Sequence, residues 1–213
     1  MNPTTNPATR PLNAPHRRAF PTVHSALTCI AGGWLALTLS AFTAIAPAHA
    51  EPAPLQTVPS VDVPRYMGTW HEIARYPFRI QEQCARDTVA IYSAREDGAI
   101  GVLNRCLRAD GSVFAAEGVA QVIDTQSKAR LQVSFLPAWL RWLPVGRGDY
   151  WVIDLAPNYR YAVVGEPQRR YLWILARTPQ LDAQTFRGIT ERLAAQGYDP
   201  ARLVPSPGLA LPR

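Results

Sequence analysis

Beyond residue 60 the apolar positions fall into short runs rather than long helical stripes. Eight segments, 69–76, 88–94, 99–107, 112–122, 129–135, 150–155, 159–164 and 171–176, are rich in Val, Ile, Tyr, Trp or Phe, residues that suit a pleated, half-buried surface. Turn-forming stretches separate most of them: Glu96-Asp97-Gly98, Asp110-Gly111, Asp124-Thr125-Gln126-Ser127, Ala156-Pro157-Asn158 and Gly165-Glu166-Pro167. Connections this short suit antiparallel neighbours, because parallel strands need crossovers of about a dozen residues or more. The pattern predicts an all-β fold, an eight-stranded antiparallel up-and-down barrel that leaves no free sheet edge.

The alternation is cleanest in 129–135, where Leu131, Val133 and Phe135 share one face and Arg130, Gln132 and Ser134 the other; the first set is expected to point into the barrel. After the strands comes one pattern of helical period. Phe186, Ile189 and Leu193 follow Asp182, a good N-cap, and precede Gly197, which suits a helix C-terminus. This predicts a single C-terminal α-helix packed on the outside of the barrel. A short last strand is expected near Leu203-Val204, and a frayed tail over 206–213. The Pro-rich stretch 51–60 is expected to be an extended lead-in rather than a packed element, leaving 61–205 as the barrel domain.

Composition changes the picture at the N-terminus. Residues 1–25 are polar and contain Arg10, Arg17 and Arg18; 26–45 are largely apolar; the first fifty hold no Asp or Glu; and Ala48-His49-Ala50 is a small-x-small site before Glu51. That order is the one of a secretory signal, so 1–50 are expected to be removed and the product exported, periplasmic or associated with the outer envelope. The Arg17-Arg18 pair does not decide between the general and twin-arginine export routes. Cys29 precedes the apolar run instead of following it, so there is no lipobox at the cleavage site.

The formal charge of +6 also shrinks, since 22 basic residues less the three in the leader, against 16 acidic, leave +3. These charges are scattered, with no Lys/Arg tract to follow a phosphate backbone, and no nucleic-acid partner is expected. Beyond the leader the chain has one histidine, His71, and one lysine, Lys128. That excludes a His-rich zinc site, and His71 and Glu72, adjacent on a strand, point to opposite faces. With no G-x-S-x-G and no glycine-rich phosphate loop, no catalytic residue, metal or cofactor is expected, and the chain does not read as an enzyme.

Cys84 and Cys106 are the only cysteines beyond the leader, and an even number in an exported chain points to a disulfide; the alternative is two unpaired thiols. A tight turn at Asp97-Gly98 does not set the two opposite each other, so Cys84 would have to sit on a loop or bulge before its strand. Segment 136–144 is an apolar loop with Trp139 and Trp142 where a hairpin loop is normally polar. It reads as a local core over the barrel, a hydrophobic lip or membrane-surface contact, or a dimer interface; the sequence leaves monomer and homodimer open.

Three ordered segments carry a family resemblance: Gly68-Thr69-Trp70-His71-Glu72-Ile73-Ala74-Arg75; Tyr150-Trp151-Val152-Ile153-Asp154-Leu155 through Asn158-Tyr159; and Tyr171-Leu172-Trp173-Ile174-Leu175-Ala176-Arg177-Thr178-Pro179. Over about residues 60–205 the chain resembles the lipocalins, in the branch of the bacterial lipocalins and apolipoprotein D. The resemblance implies a calyx, open at one end, that carries a small apolar ligand. It implies that Trp70 plugs the closed end with Arg177 stacked across it, and that Gly68 lets the backbone pass close at the strand entry. Glu72 shares the inward face of Trp70 and is expected to be a hydrogen-bonded structural carboxylate rather than a ligand contact. Expected wall residues are Tyr76, Leu131, Val133, Phe135 and Trp173, with Ile91 and Phe114. The expected ligand is a fatty acid or lysophospholipid, in envelope lipid storage, transport or repair. The alternatives are a lipid-acting enzyme on the same barrel and a structural barrel filled by its own side chains.

Overall fold

In the computed structural model eight strands run antiparallel and close on themselves: β1 (Gly68–Arg75), β2 (Arg86–Ala94), β3 (Ile100–Leu107), β4 (Val113–Val122), β5 (Arg130–Ser134), β6 (Arg147–Leu155), β7 (Tyr161–Gly165) and β8 (Leu172–Ala176). Each pairs with the next, and β1 pairs with both β8 and β2 to complete the barrel. A two-residue strand, β9 (Val204–Pro205), adds to β1. The structure describes residues 53–143 and 145–212; the leader 1–50, with Cys29 and the cleavage site before Glu51, lies outside the described residues, as does Pro144 of the Trp139 loop.

The buried side chains form two layers on opposite faces of the sheet. Inside the barrel are Trp70, Ala90, Tyr92, Val102, Ala120, Leu131, Val152, Val164 and Leu175. Outside, Ile73, Ile153, Val163, Leu172 and Ile174 meet Phe186, Ile189 and Leu193 from α2 (Ala183–Ala195). The sheet under α2 is therefore apolar on both faces, which is why 150–155 and 171–176 read as continuous apolar runs. The carboxylate of Asp182 accepts from the backbone N–H of Thr185 at 2.8 Å and caps α2, and Gly197 turns the chain at φ +83°.

Two expectations about the flanks are corrected. The lead-in is extended but packed: Leu55 is buried in the outer layer, and the N–H of Val58 donates to the Val152 carbonyl at 3.0 Å. The tail is not frayed up to residue 212, since the N–H of Ser206 donates to the Ile73 carbonyl at 3.0 Å and Leu209 and Leu211 pack on the outer layer. In both segments a few apolar side chains cover the seam between helix and sheet without any periodicity that would announce it.

Cys84 and Cys106 are joined, with their Cα atoms 5.6 Å apart. The register difficulty is resolved locally: the pairing of β2 with β3 slips between Arg86 and Val89, with Asp87 in the left-handed region at φ +56°, and Cys84 sits in the connection before β2.

One end of the barrel is stoppered. The short helix α1 (Val63–Tyr66), started by Asp62 and Pro64, brings Tyr66 against Trp70 of β1, and the indole N–H of Trp70 donates to the Tyr66 carbonyl at 2.8 Å. Trp70 is fully buried, and the guanidinium of Arg177 lies 3.8 Å from its ring centre. The same guanidinium donates to the carbonyls of Thr69 at 3.0 Å and Arg65 at 2.7 Å, so one side chain ties β8, β1 and the end of α1 together. Gly68 opens the strand beside that guanidinium at φ +94°, a backbone conformation that residues with a side chain rarely adopt. Trp70→Ala is expected to destabilise the fold by about 3–5 kcal/mol. Arg177→Ala should cost less, with a coupling between the two of about 0.5–3 kcal/mol in a double-mutant cycle. Urea unfolding of the four proteins measures this, and strict additivity would contradict the stacked pair.

Candidate functional site

In an up-and-down barrel every second connection lies at the same end. With α1 and Trp70 at one end, the β1–β2, β3–β4, β5–β6 and β7–β8 connections all lie at the other, which forms the mouth. The register identifies the inward side chains strand by strand. Trp70 pairs with Ala90, Val102 with Tyr92 and Gly118, Ala120 with Ile100 and Val133, Leu131 with Val122 and Tyr150, and Val152 with Val164. Many inward positions are small: Ala90, Ala116, Gly118, Ala120, Gly148 and Ala162. Asn104, Ala116, Val133, Tyr150 and Trp173 face inward and are only partly buried.

Of the expected wall residues, Leu131, Val133 and Trp173 lie in the inner layer. Phe114 has the inward phase of its partner Cys106, near the mouth under the guanidinium of Arg108. Phe135 lies against Gly118 at the rim and is 43% exposed. Two are corrected. Tyr76 belongs to the outer layer, edge-on to Tyr198, with its hydroxyl donating to the Asp199 carbonyl at 2.9 Å. The cause is a β-bulge between Glu72 and Ala74 in the pairing of β1 with β8: one extra residue inverts the alternation beyond it. Ile91 points outward, because its neighbours Ala90 and Tyr92 are both inward.

The bulge that expels Tyr76 brings Arg75 inside, opposite Trp173. Arg75 is buried, and its Nε lies 3.2 Å from Glu72 Oε1, in contact but without hydrogen-bond alignment. The other carboxylate oxygen accepts from the amide of Gln81 at 2.6 Å, and Gln81 in turn accepts from the indole N–H of Trp173 at 3.1 Å. Gln81 belongs to the 3₁₀ turn Arg79–Gln83, so this chain of contacts fastens the β1–β2 connection to the barrel wall. Burial pushes the Glu72 carboxyl above its ordinary value, outweighing the opposing Gln81 bond and Arg75 charge.

Deeper, above Trp70, three tyrosines meet that no local sequence signal linked. Tyr150 on β6 shares hydrogen bonds with the hydroxyls of Tyr66 at 2.8 Å and Tyr92 at 2.9 Å. The Tyr66 ring lies 4.9 Å from Trp70 and 5.5 Å from Tyr92. Burial pushes the Tyr92 hydroxyl up to about 12, and those of Tyr66 and Tyr150 well above the ordinary phenol value, so all three carry their proton at neutral pH. The inward phase of Leu131 would have found Tyr150, its cross-strand partner.

At the mouth the surface is apolar. Among the described residues, Ile80, Val113, Phe135, Trp139, Trp142 and Val145 are six of the seven exposed large apolar side chains, and all lie in or beside mouth connections. Trp139 and Trp142 are 73% and 75% exposed, so the 136–144 loop does not bury them as a local core. Arg79 and Arg141 lie in the same connections, and Arg147 opens β6 beside them. Among the described residues no group of His, Cys, Asp and Glu could hold a metal ion.

The raised Glu72 carboxyl fixes the sign of a pH effect. The folded state binds this proton more readily than the unfolded chain, so the contribution of Glu72 to stability falls as pH rises from about 4.5 through its folded value. The stability of wild type minus that of Glu72→Gln, from urea unfolding across pH 4 to 8, should decline over that window; a constant difference would contradict the buried carboxyl.

A model of the lipocalin-like domain matches residues 61–207. Temperature-induced lipocalin-1 of Arabidopsis thaliana is 41% identical over 155 residues, 72% of this chain and 82% of that protein. The outer membrane lipoprotein Blc of Escherichia coli strain K12 is 34% identical over 154 residues, again 72% and 82%. Among solved structures, insecticyanin from the tobacco hornworm Manduca sexta superposes with a TM-score of 0.59 at 19% identity, covering 76% of this chain and 87% of that one, a likeness of fold. The closed barrel, its Trp70–Arg177 stopper, the single outer helix and these relatives agree: the chain belongs to the lipocalin family.

Proposed function

We propose that the protein is an exported carrier that holds the acyl chain of a fatty acid or lysophospholipid inside its barrel and exchanges it with a membrane surface, in envelope lipid storage, transport or repair. The observation that carries this reading is the polarity of the molecule along its axis: one end is stoppered by Trp70, and the other is ringed by exposed apolar side chains around an apolar interior. Burial of a chain supplies about 0.8 kcal/mol per methylene before ordering costs, so an apolar wall suffices for useful affinity. The exposed Trp139 and Trp142 with Arg141 between them suit the interfacial zone of an anionic bilayer. The family contains the envelope protein Blc, which supports an envelope setting, and a leader of 1–50 would take the chain there. The one described histidine and the want of a metal cluster among the described residues favour a carrier over a lipid-acting enzyme.

Delipidated protein should bind saturated fatty acids with affinity that rises with chain length until the barrel is full, read by tryptophan emission. Val133→Arg sets a charge on the inner wall and should weaken binding by tenfold or more, about 1.4 kcal/mol, while Gln132→Arg, on the outer face, should change it little. Equal effects, or no dependence on chain length, would contradict an internal site.

Trp139→Ser/Trp142→Ser should lower co-flotation with phosphatidylglycerol vesicles by roughly tenfold. Its fatty-acid affinity in solution should stay within about twofold of wild type. Unchanged flotation would remove the membrane role of the mouth.

A further inference from the structure

We propose that the cluster of Tyr66, Tyr92 and Tyr150 is a recognition site for a neutral oxygen, a hydroxyl or carbonyl, carried on the leading end of the lipid that enters the barrel. This rests on the carrier reading and narrows its ligand class.

The argument is a count of protons. Each phenol contributes one O–H, and the cluster contains two hydroxyl–hydroxyl contacts, Tyr66 with Tyr150 and Tyr92 with Tyr150. Each contact consumes one proton, so three hydroxyls leave one donor over, whichever way the two bonds run. Among the described residues no acceptor takes it. The cluster sits above Trp70, among the inward side chains of Val102, Ala120 and Leu131, and Tyr150 is only partly buried. A donor that no protein acceptor takes is open to the oxygen of an arriving ligand.

The surroundings decide which oxygen. A carboxylate or phosphate at this depth would need a cation, and Arg177, beside the cluster, stacks on Trp70 and donates to two backbone carbonyls, while Arg75 lies beside Glu72 at the mouth end of β1. An anionic group would lose its hydration without a partner charge, whereas a hydroxyl or carbonyl needs only the one donor on offer. A charged headgroup instead stays at the mouth, among Arg79, Arg141 and Arg147. The preferred ligand is therefore an amphiphile with its charge at one end and a neutral oxygen at or near the other.

The test compares hexadecanoic, ω-hydroxyhexadecanoic and α-hydroxyhexadecanoic acids on delipidated wild-type protein by titration calorimetry. The ω-hydroxy acid should bind roughly tenfold more tightly than the parent acid, and the α-hydroxy acid, whose hydroxyl stays at the mouth, like the parent. Because any one or two Tyr→Phe changes still leave a hydroxyl with an unused proton, the decisive variant is Tyr66→Phe/Tyr92→Phe/Tyr150→Phe. It keeps all three rings and should abolish the ω preference while leaving the affinity for hexadecanoic acid within about twofold. Equal binding of the ω-hydroxy and parent acids to wild type would overturn the proposal without any variant and leave the carrier reading standing. A preference that survives in the folded triple variant would overturn it too. Failure of all three acids to bind would remove the carrier reading, and this proposal with it.

Discussion

A cation set against a buried indole makes this barrel a cup. An eight-stranded barrel has two ends, and nothing in strand pairing alone distinguishes them. Arg177 distinguishes them by stacking on Trp70 and drawing in the carbonyls of Thr69 and Arg65, which fixes α1 across one end. Desolvation would make a buried guanidinium unfavourable, but this one is partly exposed and its donors are satisfied, so the contact closes the end without an orphaned charge. Once that end is shut, only the connections at the other end are left to admit a ligand, and there the exposed apolar side chains gather.

A second constraint acts within β1. A single extra residue between Glu72 and Ala74 turns the strand's apolar side from the interior to the helix-covered face, so one strand serves both layers. The inversion sends Tyr76 out and Arg75 in, and the buried contact of Arg75 with Glu72, continued through Gln81 to Trp173, fastens the β1–β2 connection at the mouth. A similar slip in β6, between Val152 and Asp154, sets Ile153 and Asp154 both toward the outer side and returns Leu155 to the inner layer.

The parts of the fold decided locally could be read from the sequence. Val, Ile and aromatic runs punctuated by Asp-Gly and Pro-Asn turns specify antiparallel strands, Asp182 and Gly197 bracket the helix, and the alternation of Leu131 and Val133 names an inner wall. What depends on pairing between distant strands could not be read. The β1 bulge has no composition of its own, so a period of two carried through to Tyr76 gave the wrong face. Ile91 failed for lack of register: only its partners Thr69 and Leu103 show which side it takes. Tyr66, Tyr92 and Tyr150 come from a helical turn and two strands far apart in sequence, and their meeting is a consequence of closure rather than of any motif. The packing of 53–60 and 206–212 could not be read because isolated Leu and Val residues among prolines carry no period.

The central claim is that the interior between Trp70 and the mouth takes up an acyl chain. Isotope-filtered NOE spectroscopy on the delipidated protein loaded with isotope-labelled hexadecanoic acid tests it directly. Contacts from the chain methylenes to the methyl groups of Val102, Leu131 and Val133, which face the interior, are the predicted result. Contacts confined to Trp139 and Trp142 at the mouth, or to Leu181 and Leu209 in the external groove beside the C-terminal segment, would contradict it.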